Sequence, residues 1–430
     1  MTSSPDTRSS ALFTDRYELT MLAASLADGT ADRRCSFEVF GRRLSAGRRY
    51  GVVAGTARVL EAIGNFRFDD EQIAGLLESG AVDDRTAGYL AGYRFTGDVE
   101  GYLEGEPFFP YSPILSITGS FAEAVLLETV VLSILNHDSA VAAAASRMVV
   151  AAGGRPIIEM GSRRTHEQAA VASARAAYLA GFGSTSNLAA GARYGIPTAG
   201  TAAHAFTLLH DREEDAFASQ IDALGVGTTL LVDTYDIGKG IDKAIAVAGP
   251  ELGAIRIDSG DLAVLAHRSR DQLDRLGATR TKIVVSGDLD EYAIAALAAA
   301  PVDAYGAGTS VVVGSGVPTA GLVYKLVEVD GRPVEKRSEN KSSRGGLKRA
   351  YRAHRESGTA IEERVAVAGS DYRLGAGDRP LTTALMSGGE LVAELDLATS
   401  REHHRRAVEQ LPWEALKLSA GDPGLAVTFV

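Results

Sequence analysis

The sequence predicts an α/β protein in which a (β/α) barrel is combined with a smaller α/β domain formed by the N- and C-terminal segments. Between residues 157 and 324, short β-branched runs alternate with helical stretches, as in right-handed parallel βαβ units. Most of these runs end in polar or small residues, which is typical of a barrel whose site lies at the carboxyl ends of its strands. The flanking segments show the alternation of antiparallel strands. A doubly wound sheet is the alternative, but no G-x-G-x-x-G follows a first strand.

Composition and charge exclude several classes of protein. The chain has 430 residues, 45% of them hydrophobic, which is enough for more than one domain. A net charge of -11 argues against a bulk nucleic-acid binder, which needs a basic face. The sequence shows no apolar run long enough to span a membrane and no signal-peptide core. The single cysteine, Cys35, rules out an intramolecular disulfide. We therefore expect a cytoplasmic protein that binds neither nucleic acid nor membrane.

The elements follow in chain order. We expect residues 1–10 to be a disordered tail, 11–135 the N-terminal part of the small domain, 136–325 the barrel and 326–430 the C-terminal part that completes the small domain. The first part contains a predicted helix over 17–26, a strand over 35–40, antiparallel strands between 98 and 118, and a long amphipathic helix over 121–135. The predicted barrel strands are 156–160, 197–201, 228–235, 254–258, 282–286 and 302–306. Two strands, 324–329 and 332–336, precede a basic polar stretch over 337–355.

Two segments after barrel strands have the composition of anion sites. The glycine-rich loop 306–310, with 314–316 just beyond it, resembles a phosphate cradle, although a plain turn between strands has the same composition. In the second segment, Thr165 and Gln168 predict a capping box, which would place Arg163 and Arg164 at a helix N-terminus. Because cations are unfavourable there, a phosphate, a substrate carboxylate or a neighbouring acidic side chain must compensate them.

Other candidate residues lie at the ends of the remaining strands. Their aspartates could bind Mg²⁺, hydrogen-bond sugar hydroxyls or cap the following helices, and we favour the cap for Asp236 and Asp261. The other aspartates of this set are Asp233, Asp258 and Asp288. Arg256 lies in an apolar strand and needs an anionic partner, either Asp258 or a substrate carboxylate. His204 follows a strand among small residues, where it is either structural or catalytic.

Together these motifs resemble the nicotinate phosphoribosyltransferases, which are type II phosphoribosyltransferases. The resemblance extends from residue 14 to about residue 326. It rests on the order and spacing of the segments 14–21, 37–40, 159–164, 185–187, 200–204, 256–261 and 306–310. It implies an irregular α/β barrel with a smaller domain, and a homodimer with sites at the interface. It also implies transfer of phosphoribosyl from phosphoribosyl pyrophosphate to nicotinate in NAD salvage, coupled to ATP hydrolysis through a phosphohistidine. ATP and Mg²⁺ are the implied co-substrate and ion, with no organic prosthetic group.

The resemblance also implies roles for individual residues. His204 matches the phosphorylated histidine, and Arg163 and Asp258 complete the expected catalytic set. Nicotinate is expected to contact Tyr17, Thr201, Arg256 and Phe37. The phosphates of the substrate are expected to contact Arg164, Ser286, Gly287, Asp288, Gly306, Gly308, Thr309 and Ser310. Asp258 and Asp288 are the expected magnesium ligands. We expect Arg256 and His204 to lie at a single barrel mouth.

Three alternatives remain open at this point. A quinolinate phosphoribosyltransferase has the same barrel class. It needs more cationic side chains around the ring and no phosphohistidine, and its chain is usually shorter. A nicotinamide-specific relative would want an acidic acceptor near the ring, and Asp233 or Asp236 could supply one. A nucleotide-binding sensor without turnover is the non-enzymatic alternative, and the presence of His204 and Arg256 argues against it.

Overall fold

The computed structural model describes residues 9–336 and 344–430. The chain forms two compact units, Met1–Ala143 with Val317–Val430, and Ala144–Gly316. The sequence placed the corresponding divisions at 135/136 and 325/326. Of the predicted N-terminal tail, residues 1–8 lie outside the described residues. Ser10 is buried, and its hydroxyl donates to the Ala62 carbonyl at 2.6 Å.

The helices are distributed over both units. Their bounds are α1 Arg16–Asp28, α2 Thr56–Gly64, α3 Asp70–Glu78, α4 Asp84–Ala91, α5 Phe121–Val125, α6 Glu128–Ala152, α7 Glu167–Leu179, α8 Leu188–Tyr194, α9 His204–Leu208, α10 Glu213–Leu224, α11 Ile237–Ala248, α12 Leu262–Arg275, α13 Glu291–Ala296, α14 Thr309–Val312 and α15 Leu397–Glu409. Of the helices in the described part of the chain, none is long and apolar enough to cross a lipid bilayer.

The strands fall into separate sheets of the two units. Their bounds are β1 Arg34–Gly41, β2 Gly51–Val52, β3 Asp98–Gly101, β4 Pro107–Phe108, β5 Leu115–Ser120, β6 Ile157–Glu159, β7 Ser184–Thr185, β8 Thr229–Leu231, β9 Ala254–Ile257, β10 Lys282–Ser286, β11 Ala304–Ala307, β12 Leu322–Val329, β13 Arg332–Pro333, β14 Lys348–His354, β15 Ala360–Val367, β16 Asp378–Pro380, β17 Thr383–Ser387, β18 Glu390–Leu391 and β19 Ala426–Phe429.

The first unit is built on a seven-stranded antiparallel sheet of order β13-β12-β1-β5-β3-β17-β18, accompanied by a four-stranded sheet of order β16-β14-β15-β19. The predicted helix over 17–26, the strand over 35–40 and the antiparallel strands between 98 and 118 are confirmed as α1, β1 and the β3–β5 pair. Both chain ends contribute strands to the same sheet, because β12 pairs antiparallel with β1 over seven residues of each. The apolar core of this unit therefore draws on both segments.

The long helix predicted over 121–135 is instead two helices, α5 and α6, and the second extends to Ala152. The break has a local cause in a buried carboxylate of another helix. Oε1 of Glu18 accepts the Thr129 amide at 2.9 Å and the Thr129 hydroxyl at 2.5 Å. The Thr129 amide is thereby withdrawn from the helical hydrogen-bond ladder, and Glu18 caps the start of α6.

The second unit contains a six-stranded, all-parallel sheet of order β7-β6-β11-β10-β9-β8. This confirms the predicted α/β class, with helices alternating with strands along the chain. In the described residues the sheet is open, with β7 and β8 at its two edges. The predicted strand over 197–201 forms only an isolated bridge, Thr185 to Thr198, because the two-residue β7 offers so little to pair with.

Parallel strands place their carboxyl ends at one edge of a sheet, so this topology gathers the segments that follow β6, β9, β10 and β11. The stretch 337–355, for which the sequence indicated only a basic, polar composition, contains a strand of the first unit. Its residues 337–343 lie outside the described part, and most of the remainder forms strand β14. Lys348 and Arg352 point from β14 into the protein, and both are almost fully buried.

Candidate functional site

A polar cavity of about 180 Å³ lies at the carboxyl ends of the parallel strands. Besides Met160 it is lined by predicted site residues, namely Arg163, Arg164, Arg256, Asp258, Ser286, Gly287, Asp288, Gly306, Gly308 and Thr309. Three guanidinium groups and two carboxylates thus face one small space. This composition suits an anionic ligand better than an apolar one.

Arg256 on β9 is 9% exposed and is held by three hydrogen bonds. Its Nε donates to Ser286 Oγ at 2.7 Å and its Nη1 donates to Thr201 Oγ1 at 2.8 Å. Its Nη2 donates to Asp258 Oδ1 at 3.0 Å, which confirms Asp258 as the internal partner that the sequence suggested. A guanidinium carries five N–H groups, so two remain for a ligand.

Asp258 is the acidic centre of this arrangement. Its Oδ1 also accepts the Ser286 hydroxyl at 2.5 Å. Burial by itself would raise the pKa of Asp258, but the hydrogen bond from Ser286 and the charge of Arg256 outweigh it and hold the pKa below its usual range. The carboxylate is therefore ionised at neutral pH.

His204 begins α9, and its ring is connected to the same network. Its Nδ1 lies 3.1 Å from Thr234 Oγ1, and its Nε2 lies 3.8 Å from Asp233 Oδ1. The other oxygen of Asp233 accepts the Asp258 amide at 2.8 Å. The Asp233 side chain is 1% exposed, and within the described residues its Oδ1 has no hydrogen-bond partner. His204 thus lies next to Asp233, whose other oxygen bonds the backbone of Asp258, but it is not among the residues that line the cavity.

The aspartates after the strands separate into two groups. Asp236 and Asp261 accept amides of the first turns of α11 and α12, at 2.8 and 3.2 Å, and the predicted caps are confirmed. Asp233 caps neither helix but ties the end of β8 to the end of β9. The sequence left the role of Asp233 open between a magnesium ligand, a partner of sugar hydroxyls, a helix cap and an acceptor for a substrate amide, and did not predict its bond to the backbone of Asp258.

The predicted capping box at 165–168 is wrong. Helix α7 begins at Glu167, and its N-cap is His166, whose Nδ1 accepts the Gln168 amide at 3.3 Å. Arg163 and Arg164 lie before it in a short 3₁₀ turn, Ser162–Arg164. In residues 9–336 and 344–430, neither guanidinium has a hydrogen-bond or ion-pair partner, so the predicted alternative of a protein salt bridge is not realised.

The glycine-rich segments bring backbone close to the cavity. Gly287 has φ +111°, and a Cβ there would lie 2.4 Å from the Asp258 carbonyl oxygen, so no other residue fits without displacement. Thr309 lines the cavity at the start of α14, and Ser310 lies next to it without reaching the cavity wall. The predicted extension of the cradle to 314–316 is not supported, because the Ser315 hydroxyl donates to Glu291 at 2.7 Å.

Comparisons with known proteins identify the family of this chain. A family model described as the nicotinate phosphoribosyltransferase N-terminal domain matches residues 12–136. Nicotinate phosphoribosyltransferase pncB1 of Mycobacterium tuberculosis is 60% identical over 430 residues, covering 98% of this chain and 96% of that protein. The chain belongs to the nicotinate phosphoribosyltransferase family. The predicted resemblance is thereby confirmed.

Other members of the nicotinate phosphoribosyltransferase family extend the comparison. The Bacillus subtilis enzyme is 38% identical over 362 residues, covering 80% of this chain and 74% of that protein. The crystal structure of human nicotinic acid phosphoribosyltransferase superimposes with a TM-score of 0.83 at 26% identity, covering 97% of each chain. The similarity therefore includes the fold of nearly the whole chain.

Two residues for which the nicotinate phosphoribosyltransferase resemblance implies ring contacts lie in the first unit. Tyr17, in the first turn of α1, is 46% exposed, and burial followed by the charge of Glu128 raises its pKa to about 12. The Phe37 ring is buried and stacks on Tyr324 with 4.8 Å between ring centroids. Tyr17 thus offers an open aromatic face, whereas Phe37 packs as a core residue.

The two expected magnesium ligands can be tested for fit. Asp258 and Asp288 line the same cavity, and no group of three or more metal-ligating side chains occurs among the residues described. Mg²⁺ is commonly held by one or two carboxylates together with substrate phosphates and water. The donor set therefore fits a magnesium ion that arrives with a phosphorylated substrate.

Proposed function

We propose that this protein transfers phosphoribosyl from phosphoribosyl pyrophosphate to nicotinate, giving nicotinate mononucleotide and pyrophosphate in the salvage route to NAD. The observation that carries the proposal is the cavity with three arginines, two of which have no carboxylate partner in the described part of the chain. Unpaired guanidinium groups that share a small cavity suit phosphate and pyrophosphate anions. Membership of the nicotinate phosphoribosyltransferase family supports the same reaction.

Each part of the cavity has a role in this reaction. Arg256 binds the nicotinate carboxylate through its remaining N–H groups, with Thr201 beside it, and so discriminates against the neutral amide. Tyr17 stacks on the pyridine ring. The main-chain and hydroxyl donors of 306–310 hold the 5-phosphate. These contacts orient the ring nitrogen toward the anomeric carbon.

Departure of pyrophosphate leaves oxocarbenium-like charge on the ribose, and the growing negative charge on the leaving group needs stabilisation. Arg163 and Arg164 are positioned to supply it. Asp258 and Asp288 would hold Mg²⁺, which when bound supplies charge neutralisation to the pyrophosphate. The ionised Asp258 keeps Arg256 in place during the transfer.

ATP coupling completes the proposal. His204 accepts a phosphoryl group from ATP, which favours a closed state with higher affinity for the substrates, and hydrolysis of the phosphohistidine reopens the site. This reaction places the protein in the ATP-hydrolysing ligase class. It acts in the cytoplasm as a homodimer in which the partner supplies Tyr17, and its parallel sheet forms part of an irregular barrel.

A product assay tests the reaction. The protein is incubated with phosphoribosyl pyrophosphate and with nicotinate, nicotinamide or quinolinate, each with and without ATP, and products are separated chromatographically. Of the three bases, we expect only nicotinate to give nicotinate mononucleotide. Arg256→Ala should raise the nicotinate KM and erase the preference over nicotinamide, while Arg268→Ala, exposed on α12, serves as the control. Product from quinolinate, or an unchanged preference in Arg256→Ala, would contradict the assignment.

His204→Ala tests the coupling separately. We expect this variant to lose ATP hydrolysis and to retain weak, ATP-independent synthesis. Substrate-stimulated ATP hydrolysis at the wild-type rate would assign the phosphoryl acceptor to another residue. Labelling with γ-phosphate-labelled ATP and acid-lability of the label identify a phosphohistidine directly.

A further inference from the structure

The turn that carries Arg163 and Arg164 is supported from behind by a buried carboxylate that the proposed reaction does not use. Glu159 is the last residue of β6 and is 1% exposed. One of its oxygens accepts the amide of Gly161, at the entrance to the turn. The other accepts the Thr185 hydroxyl at 2.5 Å. The carboxylate thus joins the arginine turn to the neighbouring strand β7.

The link continues beyond Thr185 and returns to the turn. Thr185 Oγ1 accepts the Asn187 amide at 3.0 Å, and Asn187 Nδ2 donates to Ser162 Oγ at 3.0 Å. The chain of contacts from Glu159 through Thr185 and Asn187 therefore closes on the residue before Arg163. A closed set of hydrogen bonds of this kind restricts the backbone from which both arginines extend.

The turn is closely packed at Gly161. A Cβ on Gly161 would lie 2.2 Å from Val312 Cγ1 on α14 and 2.8 Å from Glu159 Oε1. The Met160 amide donates to the Ala307 carbonyl at 2.7 Å, so the turn is also tied to β11. The arginine turn and the start of α14 are consequently held against one another.

Burial of the Glu159 carboxylate is energetically unfavourable. Among the residues that the structure describes, no cation pairs with its carboxylate, and burial raises its pKa despite the hydrogen bonds from Thr185 and Gly161. A leucine or a glutamine would avoid placing an acid there. A buried acid without a cation, bonded only to the turn and its neighbour, indicates a function in orientation rather than in stability.

We propose that Glu159 is a positioning residue that orients Arg163 and Arg164 toward the pyrophosphate group of the substrate. The inference rests on the proposed function and adds to it a determinant of pyrophosphate affinity. Glu159 is buried and is not among the residues that line the cavity, so the proposal gives it no contact with the substrate. Its effect is transmitted by Gly161 on one side and by Thr185, Asn187 and Ser162 on the other.

Conservative variants provide the test. In Glu159→Gln the amide can accept one hydrogen bond but must donate at its other end, so one of the two partners loses its acceptor. We expect the KM for phosphoribosyl pyrophosphate to rise about 10-fold and the KM for nicotinate to change less than about 2-fold, as supporting residues behind a ligand group generally behave. Thr185→Val should act in the same direction, and Thr185→Ser, which keeps the hydroxyl, should restore the wild-type value. Glu167→Gln, an exposed glutamate at the start of α7, is the matched control.

A double-mutant cycle separates positioning from a general structural role. If Glu159 acts through the two arginines, Glu159→Gln has no further effect on the KM for phosphoribosyl pyrophosphate in an Arg163→Ala/Arg164→Ala background. Equal increases in both KM values, or an additive cycle, would overturn the proposal.

Calorimetric binding of pyrophosphate gives a readout that does not depend on turnover. We expect weaker binding in Glu159→Gln and wild-type binding in Glu167→Gln. Should the wild-type protein form no nicotinate mononucleotide, the proposed function fails, while this binding difference still decides the role of Glu159. Equal pyrophosphate binding by the wild type and Glu159→Gln would reject that role.

Discussion

Two buried or half-enclosed clusters of arginine illustrate opposite uses of the same side chain. In the first unit, Arg352 on β14 is 1% exposed, and its guanidinium donates to Glu106 at 2.9 Å and to Glu363 at 2.7 Å. In the second unit, Arg163 and Arg164 face a cavity, and neither has an acidic partner within the described residues. Among the described residues, one guanidinium is paired with protein carboxylates, and the other two are not.

The difference shows what separates a structural cation from a binding one. Desolvating a guanidinium is costly, and around Arg352 the protein supplies the compensating carboxylates itself. Around Arg163 and Arg164 the described residues supply none, and the two groups line a cavity that an anion can occupy. For Arg352 on one side and Arg163 and Arg164 on the other, the protein carboxylates therefore mark the difference, whereas Arg256 combines both situations, because it pairs with Asp258 and keeps N–H groups for a ligand.

The largest expected effect is on stability and comes from the buried ion pairs of Arg352. Arg352→Ala leaves Glu106 and Glu363 buried with a missing partner, so we expect the free energy of unfolding to fall by about 3–5 kcal/mol. Arg349→Ala, on the same strand with a half-exposed ion pair to Glu100, should cost about 0–1 kcal/mol. Urea unfolding of both variants at pH 7 measures the difference. Equal losses would show that burial of the pair is unimportant.

Substitution of Arg163 or Arg164 should have a large effect on activity and almost none on stability. Arg163→Ala and Arg164→Ala remove cations that have no partner within 9–336 and 344–430, so each should change the free energy of unfolding by less than about 0.5 kcal/mol. Each should lower kcat/KM for phosphoribosyl pyrophosphate by about 10²–10³-fold. A loss of stability comparable to that of Arg352→Ala would break the distinction between the clusters.

The smallest effect concerns pH. Burial would raise the pKa of Glu106, but Arg352, His403 and Arg379 outweigh it and hold the pKa well below the usual 4.5. A lowered pKa contributes stability above about pH 4.5, and this contribution is lost as the pH falls through the folded-state pKa. Glu106→Gln should therefore be destabilised relative to wild type at pH 7, with the difference shrinking in acid. Glu159 is the opposite case, because burial raises its pKa and its ionised form therefore costs stability at neutral pH. Glu159→Gln should be stabilised relative to wild type at pH 7, and this difference should also shrink in acid.

Much of the site could be predicted because it follows from strand polarity. Once the β-branched runs are accepted as parallel strands, the residues after each run must meet at one edge, and Arg256, Asp258, Ser286 and Thr309 do so. The caps at Asp236 and Asp261 could be predicted for a local reason, since a capping carboxylate bonds its own helix.

Contacts between distant segments were beyond the sequence. The division of the helix near residue 127 depends on Glu18, more than 100 residues away. Strand β14 was not predicted, because Lys348 and Arg352 occupy inward positions that normally hold apolar side chains. Only the partners Glu38, Glu106 and Glu363 explain why these positions can be cationic.

Gly287 limits which substitutions the cavity wall can tolerate. A methyl group there would collide with the carbonyl of Asp258, so any larger residue must push the end of β10 away from β9. In a saturation library, selection for growth on the salvage pathway should therefore eliminate every alternative at position 287. Gly29, which is in the αL region (φ 80°, ψ 15°) and has nothing within 4 Å of its added Cβ, should accept asparagine in the same library. Backbone crowding, and not side-chain chemistry, thus sets the mutational tolerance of this rim.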